Sequence, residues 1–211
     1  MPKFDKEAWR FFFVFLILAL FSMLPHGKIG WFFACVFIGL AVFSLFFFRD
    51  PDRTPPQDRD AILSPADGKI VFAGKHDLQG FGSTLRIAVF MNLHNVHINR
   101  SSVDGVIEKL EYIEGGFSHA GKGEPLERNE RQIIEIATDR GKVIVYQIAG
   151  VIARRIVCRL KEKQVIAKGE RIGLIRFGSR LEVFLPYEKA QLLSKVGDKV
   201  RCGESIIAKW V

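Results

Sequence analysis

IIEIATDRGKVIVYQI, residues 133–148, decides the fold class. Two runs rich in Val and Ile, Ile133–Thr138 and Val143–Ile148, flank DRGK, whose glycine suits a tight chain reversal, so the segment predicts a β-hairpin. Working outward, the same texture recurs. Lys69–Ala73, Arg86–Asn92, Ile172–Arg176 and Arg180–Leu185 are short Val/Ile-rich runs separated by Gly-containing turns. KVGDKVRCGESIIAKW (195–210) reads as turn, strand, turn, strand. Long amphipathic helical patterns are scarce, and Pro186–Ser194 is one short helix candidate. Residues 61–211 therefore predict a mainly β domain, a compact barrel or sandwich of the barrel-sandwich-hybrid type.

A weak internal echo runs through this region. SPADGKIVFAG (64–74) and SSVDGVIEKLEYIEG (101–115) both place Asp-Gly ahead of an apolar run. VGDKVRCGE (196–204) is similar to the corresponding turn of lipoyl- and biotinyl-carrier domains. No lysine sits in the modified tip motif of those carriers, so that likeness concerns architecture only.

The N-terminal part is a different object. Thirteen of the 19 phenylalanines lie in the first 50 residues. Residues 11–24, FFFVFLILALFSML, have Ser22 as their one polar side chain, and a turn-like PHGK follows. Residues 29–48, IGWFFACVFIGLAVFSLFFF, have only Ser44. Twenty helical residues rise about 30 Å, the thickness of a bilayer's hydrocarbon core. The first stretch is shorter and needs help from Trp9 and the turn to span. Residues 1–48 thus predict a hydrophobic helical hairpin that dips into or crosses a membrane. A cleaved signal peptide is the other reading of such a start, but a second, longer apolar stretch follows at once and no A-x-A-like site precedes it. Neither stretch has the polar face of a soluble helix. Lys3, Lys6 and Arg10 flank one end, and Arg49 and Arg53 the other. That bias favours both ends in the cytoplasm, weakly, since Asp5, Glu7, Asp50 and Asp52 are interspersed. Charge and prolines in residues 49–60 then predict a linker at the membrane surface.

Composition narrows the function. With 48% hydrophobic and 26% charged residues, wholesale disorder is excluded. Cys35, Cys158 and Cys202 have no metal-ligand spacing, which argues against a disulfide scaffold or a zinc site. The net charge of +8 suggests an anionic partner. Residues 49–211 carry 27 Lys and Arg against 21 Asp and Glu, which suits an anionic leaflet. Nucleic acid is disfavoured, because the basic charge is dispersed and no run of aromatic platforms accompanies it.

Three local clusters hold chemistry-bearing residues. Asp67 lies in SPADGKI, where Asp-Gly is equally good turn chemistry. His94 and His97 lie in LHNVHINR, and their titration range suits proton transfer near neutrality, although buried or surface histidines are common without a role. Gly178-Ser179 lies between two expected strands, where Gly-Ser is also an ordinary turn. Leu181 stands where a G-x-S-x-G elbow needs glycine, so a lipase-type hydrolase is disfavoured.

Taken together, the segments FFRDPDRTPP, SPADGKI, LHNVHINR, PLERNERQ and KGERIGLIRFGSRLEVFLP resemble, in order and over nearly the whole chain, the phosphatidylserine decarboxylases in their short membrane-anchored form. The resemblance implies a proenzyme that cuts itself between Gly178 and Ser179. The large chain would be residues 1–178 and the small chain residues 179–211, the two staying associated. It implies a pyruvoyl cofactor formed from Ser179, with Asp67 and His97 assisting self-processing and His94 serving decarboxylation. It implies phosphatidylserine in an anionic membrane as substrate, bound through a Schiff base, with phosphatidylethanolamine and carbon dioxide as products and the catalytic domain on the cytoplasmic face of the cell membrane. A homo-oligomer is left open. Segment 115–131 reads as a lid, with Phe117 touching lipid and Lys122 or Arg128 near the phosphate, or as an ordinary solvated loop.

Phe177 and Arg180 flank the Gly-Ser pair where longer members have Leu-Gly-Ser-Thr. An archaetidylserine decarboxylase acting on an ether lipid with the same head group is therefore an alternative. A non-enzymatic, membrane-anchored, carrier-like barrel is another, and it predicts an uncut chain.

Overall fold

The computed structural model describes residues 3–25, 27–117, 128–150, 155–176 and 179–211. Contacts within the chain divide it into two units, Met1–Asp52 and Arg53–Val211. The segment read as a linker, 49–60, is thus shared between them.

In the first unit, β1 (Lys3–Phe4) pairs with β2 (Arg49–Asp50) at the base of a hairpin of α1 (Lys6–Met23) and α2 (Lys28–Phe47). Asp5 caps α1, its Oδ1 accepting the Glu7 N–H at 3.0 Å. Small side chains make the helix–helix seam: Ala8, Ala19, Gly30, Ala34 and Ala41 are buried. A Cβ on Gly30 would sit 2.3 Å from the Ser22 carbonyl oxygen, so only glycine allows this approach. The two polar residues of the apolar stretches are satisfied within their own helices, Ser22 Oγ donating to Ala19 O and Ser44 Oγ to Ala41 O, both at 2.7 Å. Phe13, Phe21, Trp31 and Phe32 point outward and are exposed. By length and composition α2 is the one described helix that suffices to cross a membrane.

The second unit is mostly β, built around a curled half-barrel sheet of eight strands. Among the described residues its strands are β3 (Ala61–Leu63), β4 (Gly68–Leu78), β5 (Gly82–Met91), β6 (Ile98–Arg100), β7 (Gly105–Ile113), β8 (Arg131–Thr138), β9 (Gly141–Ala149), β10 (Ile156–Cys158), β11 (Val165–Ile166), β12 (Arg171–Ile175), β13 (Ser179–Pro186), β14 (Ala190–Leu192), β15 (Lys199–Val200) and β16 (Ile206–Trp210). The large sheet runs β11-β7-β8-β9-β13-β5-β4-β15, and β10-β12-β6 and β14-β16-β3 form two smaller sheets. Inward side chains such as Ile87, Val89, Ile134, Val145, Leu181 and Val183 make one core. The β8–β9 hairpin closes as expected, Thr138 opposite Gly141. The helix expected at Pro186–Ser194 does not form. A short 3-10 turn at Tyr187–Lys189 leads instead into β14, because Ala190–Leu192 finds a ladder against β16.

The Asp-Gly echo proves to be a structural repeat. Exchanging β3, β4, β5, β13, β14, β15 and β16 for β6, β7, β8, β9, β10, β11 and β12 in turn reproduces the large sheet read backwards and swaps the two small ones. The bulges match as well, Ile70/Phe72 in β4 with Ile107/Lys109 in β7. Both glycines of the echo allow close strand approach: a Cβ on Gly68 would meet Phe90 O at 2.1 Å, and on Gly105 Ala137 O at 2.5 Å. The second copy, Ile98–Ile175, is inserted in the first between Met91 and Ser179. That pair of residues faces each other as Thr138 and Gly141 do in the other copy.

Candidate active site

Strand register brings the candidate residues to one end of the large sheet. Ser179 opens β13 and pairs with Ala149, the last residue of β9, and with Met91, the last of β5. Beyond β5, Lys69 faces Phe90 and Gly68 faces Val200. Ser179 and Gly68 are therefore two strand spacings apart, roughly 10 Å. The segments leaving this end carry Asp67 before β4, His94 and His97 after β5, and Cys202 after β15. Gly178 and Phe177 lie outside the described residues, as do Lys122 and the rest of 118–127.

Alternation along β13 turns Ser179 inward with Leu181 and Val183. It is fully buried, and its Oγ has no hydrogen-bond partner among the described residues. A buried hydroxyl left so costs about 1–3 kcal/mol, which marks the position for explanation. Beside it on the inner face, Gln147 Nε2 donates to Asn99 Oδ1 at 2.8 Å, and Asn99 Nδ2 lies 3.7 Å from Met91 Sδ.

His97 is 1% exposed, immediately before β6. Its Nδ1 lies 2.9 Å from the Asn95 carbonyl oxygen. A carbonyl only accepts, so Nδ1 carries a proton and a neutral ring keeps its lone pair on Nε2. The turn holding Asn95 is pinned, its Oδ1 accepting the Asn92 N–H at 2.8 Å and its N–H reaching Asn92 O at 3.0 Å. Ile98, next to His97, faces Leu174 near the end of β12, five residues before Ser179. His94 stands on the same turn but is exposed.

Asp67 is nearly buried, and its carboxylate is engaged elsewhere than at His97. Arg53 Nη2 donates to both oxygens, at 3.2 and 2.9 Å, and the Cys202 N–H donates to Oδ1 at 2.7 Å. Cys202 then ties this loop to the strand of His97, its Sγ lying 3.1 Å from Pro65 O and 3.4 Å from Ile98 O. Burial first, and the Asp67 charge second, push the Cys202 thiol well above its usual range and keep it a donor. Arg53, Asn95, Asn99 and Cys202 were missed in the sequence. In the sequence Arg53 reads only as a flanking charge and part of the linker, and a lone cysteine carries no signal of its own.

On the outer face of β13, Arg180 is fully buried, and its Nη2 lies 2.6 Å from Glu182 Oε1, which Arg86 also grips. Arg180 points away from Ser179, so the Thr-to-Arg departure lies on the other side of the strand from the candidate site. In the second copy the matching end opens into a cavity of about 710 Å³ lined by Asp104, Thr138, Arg140 and Lys168. Gly141 stands there in the place of Ser179, so that end lacks the nucleophile.

The arrangement offers a buried hydroxyl, an imidazole with an oriented lone pair and an anchored carboxylate at one sheet end, the ingredients of base-assisted nucleophilic chemistry. The phosphatidylserine decarboxylase family matches residues 40–208. A phosphatidylserine decarboxylase proenzyme of Desulfotalea psychrophila is 47% identical over 171 residues, covering 80% of this chain and 79% of its own. One from Cupriavidus pinatubonensis is 41% identical over 212 residues, 99% of this chain and 95% of its own. With a match that spans most of both chains, this protein belongs to the phosphatidylserine decarboxylase family.

Proposed function

We propose that this chain is a self-processing, pyruvoyl-dependent decarboxylase that converts phosphatidylserine to phosphatidylethanolamine at a membrane surface. One observation carries the reading: the Ser179 hydroxyl, buried and without a partner among the described residues, opens a strand at the sheet end that also holds His97 and Asp67. A hydroxyl is a weak nucleophile and needs a base, and His97 Nε2 is the basic nitrogen left by the Nδ1 bond to Asn95. Ser179 Oγ attacks the Gly178 carbonyl, His97 taking the hydroxyl proton. The C–N bond breaks as His97 passes that proton to the departing nitrogen, and the amide becomes an ester with a free amine on residue 179. Loss of the Ser179 α-proton then expels Gly178 as a carboxylate and leaves a dehydroalanine. Its imine tautomer takes up water and releases ammonia, leaving the pyruvoyl. Asp67 supplies negative charge to this end of the sheet, favouring an imidazolium at His97.

The buried, unpartnered position of residue 179 suits such a group, with Asn99 and Gln147 on the same inner face as polar neighbours. The pyruvoyl supplies an electron-accepting carbonyl for the serine head group's amine, the role pyridoxal phosphate fills elsewhere. His94, exposed on its turn, is the residue that returns a proton to the substrate carbon. Membrane attachment through the apolar hairpin suits a substrate whose acyl chains stay in the bilayer. The basic excess of residues 49–211 supports placing the domain on the anionic cytoplasmic face.

Three substitutions test the reading on a denaturing gel and by carbon dioxide release from labelled phosphatidylserine. Ser179→Ala and His97→Ala should remain uncut. His94→Ala should cut normally yet lose decarboxylation by about 10²–10⁴-fold, the usual worth of a general acid. Full activity in His94→Ala removes that assignment, and normal cutting in Ser179→Ala removes the mechanism.

A further inference from the structure

We propose that Arg53 is a positioning residue for self-processing, its guanidinium fixing the Asp67 carboxylate at the sheet end that carries Ser179 and His97. The proposal rests on the assignment of Asp67 to that reaction. Arg53 lies 14 residues before Asp67 and 151 before Glu204, outside every strand, yet its side chain is only 10% exposed. One nitrogen, Nη2, reaches both Asp67 oxygens, and the other, Nη1, reaches Glu204 Oε2 at 2.9 Å. With the Cys202 N–H, three donor contacts fix a side chain that would otherwise rotate.

The internal repeat supplies a control within the same molecule. Asp104, the counterpart of Asp67, accepts the Lys168 N–H at 2.8 Å just as Asp67 accepts that of Cys202. Ser101 Oγ closes its loop onto Val103 O at 2.7 Å, as Ser64 Oγ does onto Ala66 O. The turn therefore forms with that one carboxylate bond alone. Asp104 is exposed and, among the described residues, pairs with no guanidinium. The Arg53 contact is thus an addition to the copy that contains Ser179, and turn geometry does not require it.

Charge complementarity points the same way, with one guanidinium set between the Asp67 and Glu204 carboxylates. The two carboxylates hold the guanidinium between them, and the fork prevents Asp67 from swinging to another donor. Arg53 itself is kept in place from the backbone side. Pro55, two residues after it, packs on the second copy's turn, where a Cβ on Gly169 would meet Pro55 Cγ at 2.4 Å.

Cell-free synthesis of the full chain with anionic lipid vesicles tests this, cutting being followed over time on a denaturing gel. Arg53→Ala should cut about a hundredfold more slowly, the cost expected of a misplaced catalytic group. Added ethylguanidinium should restore most of the rate in Arg53→Ala and none in Asp67→Asn. Arg53→Lys, which keeps the charge but loses the fork, should fall between. Normal cutting by Arg53→Ala beside an uncut Asp67→Asn overturns the proposal alone. Normal cutting by Asp67→Asn overturns the underlying assignment and the proposal with it. Slow cutting that neither ethylguanidinium nor lysine improves makes Arg53 a structural prop and also overturns it. Should Arg53→Ala fail to fold, Arg53→Lys decides: a slowed rate supports positioning and an unchanged rate refutes it.

Discussion

Cys202 shows how much one side chain can hold together without reacting. Its backbone N–H anchors Asp67, and its thiol bridges the Pro65 and Ile98 carbonyls. Desolvation raises the thiol's proton affinity, and the neighbouring Asp67 charge raises it further. The folded thiol keeps its proton at a pH where the unfolded one releases it. Its contribution to stability is therefore complete below the ordinary value of 9.0 and declines as pH rises beyond it. Iodoacetamide at mildly alkaline pH should leave Cys202 unmodified in the folded protein and modify it after denaturation, as read by peptide mass. Rapid labelling of the folded protein would contradict this placement. Such a role is invisible in the sequence, because its partners lie 135, 137 and 104 residues away. His97 was legible as a titratable residue, but its orientation depends on Asn95, whose importance comes from backbone bonds that no residue pattern announces.

Among the elements, the long strands were legible because Val and Ile runs between glycines have few other uses. Ile133–Thr138 and Val143–Ile148 became β8 and β9 with a residue or two added at the ends. The turn–strand–turn–strand reading of 195–210 became β15 and β16, but short elements such as β10 and β11 were not legible, since their pairing is set by distant partners and not by their own composition. Pro186–Ser194 was misread for the same reason: its local pattern allows a helical turn, and the ladder with β16 overrides it. The two apolar stretches were plain, and α2 is the one described helix long and apolar enough to cross a membrane. Ile38 lies near its middle and faces outward. Ile38→Arg should cost about 2.5–3.5 kcal/mol of insertion free energy and shift the protein toward the carbonate-soluble fraction. Unchanged retention in the membrane pellet would remove α2 as the anchor.

For the whole molecule, the repeat explains why a cut chain would stay folded. The break at residue 178 would fall where the inserted copy rejoins the first, one position before β13. The segment 179–211 contributes β13 between β9 and β5, and also β14, β15 and β16, so two of the three sheets of the β unit contain it, β10-β12-β6 being the exception. The sequence hinted at duplication through its two Asp-Gly runs, but the insertion of one copy within the other appears only once Met91 is seen opposite Ser179. Intact-mass analysis of active, natively purified protein is the most direct trial of the self-processing chemistry. It should find two chains, 1–178 and 179–211, that elute together natively and separate on denaturation, the smaller carrying a ketone in place of its amino group. A single unbroken chain of 23.9 kDa with an ordinary serine at 179, in material that still decarboxylates, would contradict it.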